Sequence, residues 1–377
     1  MYDRPKGIEN TRIWVDGCFD FTHHGHAGAM MQARQLGKEL YVGVHSDEEI
    51  LKNKGPTVMK LDERMKSVEG CKWATKAIAN APYVTDPEFL KKFDCPYVVH
   101  GDDITTDANG EDCYKTVKDL GMFVVVKRTP NISTTDLVGR MLLGNKDHHL
   151  PLITSIDNEL FSPDNVSRFG KYATDKTGLN PHSGVYVNID DQPLVTIVEP
   201  SNDMSKGYEK SVYIDGGFDL FHPGHIEVLR LTKEYAESIG AVVVVGIHED
   251  KVINQNSELN YPIMTIFERS LCVLQCKYVD GVILSAPFKP NKLFLDKFPG
   301  NIVNVFHGPT TIKPDVYQEL EPGMFKTIDE HKYSHINTKF IVNRVLSNVE
   351  AYEERQRKKG WKAENEKRLK EEEDAKK

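Results

Sequence analysis

The chain has 377 residues, 28% of them charged, and a formal net charge of −8. That length accommodates two globular domains of ordinary size, and the acidic balance argues against a protein held on nucleic acid or on a membrane surface by bulk electrostatics. The polar stretch Met1–Asn10 is neither a secretory signal nor an anchor, and the longest apolar runs, such as Ala241–Ile247, are too short to cross a bilayer. A soluble, cytoplasmic chain without an integral membrane segment is expected.

The first element is the apolar triplet Ile13-Trp14-Val15, which runs into Asp16–His26 and leaves through Ala27–Leu36. This reads as strand, glycine-containing turn and helix. Two histidines, His23 and His26, stand three residues apart at the mouth of that helix, so they share a face. The first turn of a helix offers unpaired N–H groups and the positive end of the dipole, a site suited to phosphate. Gly25 would let a phosphate approach the backbone.

Further along, Leu40–His45, Ala77–Ala79, Pro96–His100 and Phe123–Val126 read as strands. Asp62–Ala74, Pro87–Phe93, Tyr114–Leu120 and Thr134–Leu143 read as helices. Strands alternating with helices imply an α/β, doubly wound (Rossmann-like) parallel sheet, with ligands beyond the carboxyl ends of the strands. Asp16–His26, His100–Asp103 and Arg128–Thr135 follow strands and should meet in one crevice.

From Asn145 to Lys210 the texture changes to Asn, Asp, Ser, Pro and Gly, and a partly ordered linker is expected, with Val185–Val187 and Leu194–Val198 strand-like. The opening motif then returns as Val212–His225. Strands follow at Val242–His248, Gly281–Leu284 and Val303–Gly308, and the pairs His23/His222, Arg64/Arg269, His100/His307 and Arg140/Arg344 all lie about 200 residues apart. A duplicated domain follows, with one copy over 8–144, the linker over 145–210, the second copy over 211–347 and a charged tail, helical or disordered, over 348–377. The tail lacks the continuous apolar stripe of a membrane-binding helix. Six cysteines show no paired CxxC spacing, so reduced, buried thiols and no protein metal site are expected.

These elements resemble the cytidylyltransferase family of the nucleotidyltransferase superfamily. In the first copy the resemblance rests on Phe19-Asp20 with His23-His24-Gly25-His26, on Lys54–Met59 and on Glu63-Arg64. It continues through His100-Gly101-Asp102-Asp103 and Arg128-Thr129 with Ile132–Thr135. Tandem domains mark the branch of the family that acts on phosphoethanolamine. The resemblance implies transfer of CMP from CTP to phosphoethanolamine, giving CDP-ethanolamine and pyrophosphate for phosphatidylethanolamine synthesis. The same reaction on phosphocholine is the first alternative, and a weakly catalytic nucleotide-binding or scaffold protein is the second. Partners would be CTP and phosphoethanolamine, without nucleic acid; Mg²⁺ would arrive with CTP, and a homodimer stays open.

On that resemblance His23, His26, Lys54 and Arg128 are the catalytic residues, aligning two anions and stabilising the departing pyrophosphate. Gly17, Phe19, Asp20, Gly25, Arg64, His100, Asp102, Asp103, Ser133 and Thr134 would line the CTP site, with Asp102 and Asp103 alternatively readable as simple turn caps. Asp20, Trp73 and Tyr114 would hold the amine, with Trp73 and Tyr114 equally readable as core aromatics. The second copy keeps Gly217, Phe218, His222, His225, Arg269, His307, Gly308 and Thr338 for CTP binding or partial catalysis. It lacks a lysine at the position of Lys54 and an Arg-Thr pair before Ile336-Asn337-Thr338. The first copy is therefore the expected catalyst.

Overall fold

The computed structural model describes residues 4–130, 132–190, 192–257 and 259–374. They fall into two compact units, one formed by the chain up to Leu142 together with the chain from Lys339 onward, the other by Leu143–Thr338.

In the first unit the chain runs β1 (Arg12–Gly17), α1 (His24–Leu36), β2 (Glu39–His45), α2 (Asp47–Lys54), α3 (Leu61–Gly70) and β3 (Lys76–Ala81). It continues through α4 (Pro87–Lys91), β4 (Tyr97–Gly101), α5 (Lys115–Asp119), β5 (Phe123–Val126) and α6 (Thr134–Leu143). The strands pair in parallel in the order β3-β2-β1-β4-β5, the doubly wound arrangement in which ligands sit where the strand order reverses, here between β1 and β4. Helices on both faces explain why the central strand reads as a continuous buried run, with Ile13, Trp14, Val15 and Asp16 all covered. The polar stretch after β2, which carries no helical signal in its apolar residues, is nevertheless helix α2. The Ser46 hydroxyl caps it by accepting the Glu49 N–H, acids fill its first turn and lysines its last, and Gly55 closes it at φ 101°. Helix α3 stops at Gly70, short of the expected Ala74.

The second unit begins with α7 (Pro163–Tyr172), β6 (Gly184–Val187), β7 (Val195–Val198) and α8 (Asn202–Gly207). The repeat follows as β8 (Ser211–Gly216), α9 (Pro223–Ser238), β9 (Val242–Ile247), α10 (Asp250–Asn256), α11 (Ile266–Leu274), β10 (Gly281–Leu284), α12 (Lys292–Leu295), β11 (Ile302–His307) and β12 (Phe325–Thr327). Helix α13 (Thr338–Leu346) and the tail helix α14 (Val349–Asp374) complete the chain. The sheet order is β12-β11-β8-β9-β10-β6-β7, so the first unit's order recurs with two strands added at the β10 edge. The two strand-like pieces expected within the partly ordered linker 145–210 are β6 and β7, which extend the second sheet. Tyr186 and Tyr208 of this segment are buried in the core with Phe298 and Tyr213, and the Tyr208 hydroxyl donates to Asp280 O (2.7 Å) while accepting the Gly184 N–H (2.8 Å). The cysteines carry no disulfide and all but Cys18 are buried.

Candidate active site

The turn between β1 and α1 departs from ordinary backbone: Phe19 (φ 56°), Phe21 (φ 62°) and Thr22 (φ 30°) all have positive φ, as do Phe218 and Leu220 (φ 52° each) after β8. Such strain, of order 1–3 kcal/mol per residue, persists only where surroundings enforce it. Asp20 does so here, its two carboxylate oxygens accepting the N–H groups of Val58 (2.9 Å) and Met59 (2.8 Å). Asp219 repeats this with Ile263 (2.8 Å) and Met264 (2.9 Å).

At the mouth of α1 the Gly25 N–H donates to His23 Nδ1 at 3.1 Å, leaving Nε2 to carry the ring proton of a neutral imidazole. The rings of His23 and His26 stack at 3.9 Å, with Phe19 edge-on to His26 at 5.4 Å. Burial, then Lys54, Arg128 and His24, push His26 down to about 3, so it is neutral without substrate. Gly25 matters for packing: a methyl group there would meet Ile132 Cγ2 at 2.7 Å and the His23 ring at 2.9 Å.

Arg64, expected on CTP, is elsewhere. Fully buried, it donates to Met59 O (3.1 Å), Cys18 O (2.7 Å), His45 O (2.9 Å) and Asp47 Oδ1 (2.6 Å). Arg269 makes the matching set with Met264 O, Gly217 O, His248 O and Asp250 Oδ1. Each guanidinium ties together the segments that carry the site, with four of its five N–H donors bonded to protein.

Lys54 ends α2, with its Nζ 5.6 Å from the centroid of the Tyr83 ring. Arg128 lines a cavity of about 440 Å³ with Asp102, Thr129 and Ile132, and pairs with Asp103 at 3.2 Å. Ser133 is engaged with Asp136 (2.7 Å), and Thr134 donates to Asp20 O (3.4 Å). His100 packs against Tyr114, ring centroids 4.5 Å apart. Gly17 lies under Phe19, whose ring comes within 3.2 Å of a methyl placed on it. Trp73 is fully buried, and the charge of Asp20 is met by the Val58 and Met59 N–H groups and by Arg355 at 3.6 Å, so these two do not form an amine pocket with Tyr114.

Tyr114 instead donates to Asp16 Oδ1 at 2.7 Å, while Thr85 (2.8 Å) and Trp14 (2.9 Å) donate to Oδ2. Asp16, at the carboxyl end of β1, received no role from the sequence, although its recurrence as Asp215 was a signal. The tail was missed as well. Arg355 donates to Pro56 O (2.5 Å) and lies 3.6 Å from Asp20. Tyr352 donates to Thr57 O (3.1 Å). Lys362 Nζ donates to Asn53 O (2.8 Å), Thr106 O (3.0 Å) and Asp107 O (2.8 Å), and Glu366 accepts from Thr106. Helix α14 thereby fastens the loop after Lys54 to the loop after β4.

In the second unit a cavity of about 370 Å³ is lined by Gly217, Phe218, His222, His225, His307, Gly308 and Thr338, but not by Arg269. His222 and His225 stack at 3.7 Å. Burial depresses His225 to about 3 and raises the adjoining Asp215, bonded to Tyr317 at 2.7 Å, to about 7.

Comparison with known proteins matches the cytidylyltransferase-like family model to residues 14–140 and 213–357. An ethanolamine-phosphate cytidylyltransferase of Dictyostelium discoideum is 41% identical over 360 residues, covering 92% of this chain and 94% of the relative. One from Saccharomyces cerevisiae is 39% identical over 365 residues, covering 94% and 98%. Choline-phosphate cytidylyltransferase A of Mus musculus is 42% identical over 133 residues, 35% of this chain and 36% of that protein.

Proposed function

The chain belongs to the ethanolamine-phosphate cytidylyltransferase family, and from that premise we propose that its first unit transfers CMP from CTP to phosphoethanolamine. An oxygen of the phosphoethanolamine phosphate attacks the α-phosphorus of CTP, the bond to the β-phosphate oxygen breaks, and pyrophosphate leaves with the bonding electrons. The nucleophile is already ionised near neutral pH, so the protein's task is to align anions and stabilise charge.

The observation that supports this reading is the pair His23 and His26 stacked at 3.9 Å at the mouth of α1, where burial, and after it the charges of Lys54 and Arg128, lower the His26 pKa. His23 Nε2 and His26 donate to the triphosphate, and Lys54 and Arg128 balance the charge that moves to pyrophosphate. Triphosphate opposes the pull of the two cations, so binding raises the His26 pKa and draws a proton onto the ring. Relatives named for the ethanolamine reaction align over nearly the whole chain, whereas the choline-phosphate relative aligns with a third of it, which favours phosphoethanolamine over phosphocholine.

For the ammonium end the reading moves from Asp20 and Trp73 to Asp16, Tyr114 and Tyr83. Asp16 has capacity for one more donor beyond its three protein partners, and the Tyr83 face already accepts a cation, the ammonium of Lys54. Mg²⁺ remains an expectation, carried with CTP. Among the described residues no group of three or more His, Cys, Asp or Glu is arranged to hold a metal, so no step above runs through one. A cytoplasmic location is part of the same proposal; no described helix is long and apolar enough to cross a membrane.

Steady-state assays with Asp16→Asn test the pocket: KM for phosphoethanolamine should rise about tenfold or more, as for loss of a charged hydrogen bond, with KM for CTP little changed. An equal rise in both would remove Asp16 from the amine pocket. Wild-type turnover of phosphocholine at the rate of phosphoethanolamine would remove the substrate assignment.

A further inference from the structure

Asp16 is held from three directions. Trp14 reaches it along β1 at 2.9 Å, Thr85 from the loop between β3 and α4 at 2.8 Å, and Tyr114 from the start of α5 at 2.7 Å. Thr85 is itself fixed, 2% exposed and with its N–H donating to Cys113 O at 3.1 Å. Its hydroxyl proton goes to Asp16 Oδ2, so its oxygen keeps acceptor lone pairs. The Tyr114 hydroxyl, whose proton goes to Asp16 Oδ1, is left an acceptor in the same way. The carboxylate and two hydroxyl oxygens thus stand together as acceptors.

The repeat provides the comparison. Asp86 and Asn291 cap α4 and α12, which puts Thr85 in register with Pro290, one residue before each cap. Trp14 falls on Tyr213, and Tyr114 on Tyr317, so the second unit keeps an aromatic residue at both places and loses the threonine hydroxyl. Asp215 Oδ1 accepts from Tyr317 at 2.7 Å, while the buried Oδ2 has no partner within hydrogen-bonding distance among the described residues. Burial pushes that carboxyl up to about 7. Asp215, Phe288 and Tyr317 line the 370 Å³ cavity, so this corner of the fold is one that opens to a ligand.

The two candidate amines differ at this point. A primary ammonium carries three N–H donors, of which the remaining lone pair of Asp16 takes one and leaves two for hydroxyl oxygens. A trimethylammonium has no N–H to give. Ring faces attract both cations, so the faces of Tyr83 and Tyr114 do not separate them. A buried acceptor that meets a methyl group goes unpaired, and sites reject an analogue lacking a donor by that cost. Thr85 offers a hydroxyl without a ring face.

We propose that Thr85 is a specificity-determining residue of the first unit, its hydroxyl accepting an N–H of the substrate ammonium and so selecting phosphoethanolamine over phosphocholine. This rests on the reading of the first unit as the phosphoethanolamine site, and it deepens that reading by naming the group that tells the amines apart.

The test measures kcat/KM of the full chain for phosphoethanolamine, its N-methyl and N,N-dimethyl forms and phosphocholine, in wild type, Thr85→Val, Thr85→Ala and Thr85→Ser. Melting curves establish that each variant is folded. Thr85→Val keeps the shape of the side chain and removes its hydroxyl. On phosphoethanolamine, Thr85→Val and Thr85→Ala should lose about tenfold or more, as for loss of a hydrogen bond to a charged group, with phosphocholine turnover and KM for CTP nearly unchanged. The fall in rate along the methyl series should flatten accordingly. Thr85→Ser should keep the wild-type preference. A preference that survives in Thr85→Val and Thr85→Ala overturns the proposal. So does an equal loss on both amines, which marks Thr85 as a support of Asp16 alone. If the wild type forms CDP-ethanolamine, those results leave the functional reading standing. A wild type that forms none strikes that reading and this proposal with it.

Discussion

The two units share a sheet order, a buried arginine and a stacked pair of histidines, yet the basic side chains around the two sites come from different stretches of chain. In the first, Lys54 ends a helix and Arg128 follows β5. In the second, the cavity that holds His222 and His225 is lined by Lys313, from the loop between β11 and β12, and by His331, from the loop between β12 and α13, and helix α14 lies against the site loops of the first unit. The scaffold that shapes the β1–α1 turn is the part held constant: Asp20 and Asp219 accept the same pair of N–H groups, and Arg64 and Arg269 tie the same four points. Charge placement is the part that varies. On this fold the strained turn is held in one way in both units, while the basic side chains near it arrive from different loops.

The largest expected effects come from breaking what the units share. Arg269 is buried against an equally buried Asp250, so Arg269→Ala should cost about 3–5 kcal/mol, the range for stranding a buried charge. Arg64→Ala should cost less, because Asp47 is 41% exposed and can be solvated. Urea denaturation of both variants measures the difference, and equal losses would contradict the burial argument. Arg64→Lys should not rescue, since one ammonium cannot serve four diverging acceptors.

A middle-sized effect concerns His26. Its folded pKa, about 3, lies below the ordinary 6.5 because burial and the neighbouring cations disfavour the charged ring. The unfolded chain therefore binds a proton that the folded chain refuses. The stabilisation is complete above about pH 6.5 and is lost as pH falls from there towards 3, at up to about 1.4 kcal/mol per pH unit. NMR titration of the free protein should find His26 neutral at pH 5, and its pKa should rise when CTP is added. A free-state pKa near 6.5 would break the account of the site's electrostatics.

The smallest effect separates the units by the tail. Lys362 joins Asn53 to Thr106 and Asp107 and lies outside the reacting groups, so Lys362→Ala should loosen the Lys54 loop and raise KM for CTP several-fold with kcat nearly kept. A fall in kcat with unchanged KM would point to a direct role instead.

The doubly wound fold and the repeat were legible because they depend on local periodicity and on motifs that recur in order. The stacked histidines were legible for the same reason. Arg64 was misplaced because an arginine beside a phosphate motif looks the same in sequence whether it faces solvent or a set of carbonyls. Asp16 lay inside the quoted motif, but its partners Thr85 and Tyr114 are brought to it only by the sheet. Helix α14 hid its role for a related reason: Lys362 and Arg355 bind backbone carbonyls, which leave no signature in side-chain sequence. Segment 145–210 read as linker because its strands are short and pair at a sheet edge, where long-range contacts decide the structure.

The central claim is that the first unit performs the chemistry. Initial rates of CDP-ethanolamine formation by His26→Ala and His225→Ala chains, at saturating CTP and phosphoethanolamine, test it most directly. The His26 variant should lose a factor of about 10² or more, the scale for a donor to the transition state, and the His225 variant should stay within about tenfold of wild type. Full activity after His26→Ala, or an equal loss in both variants, would contradict it.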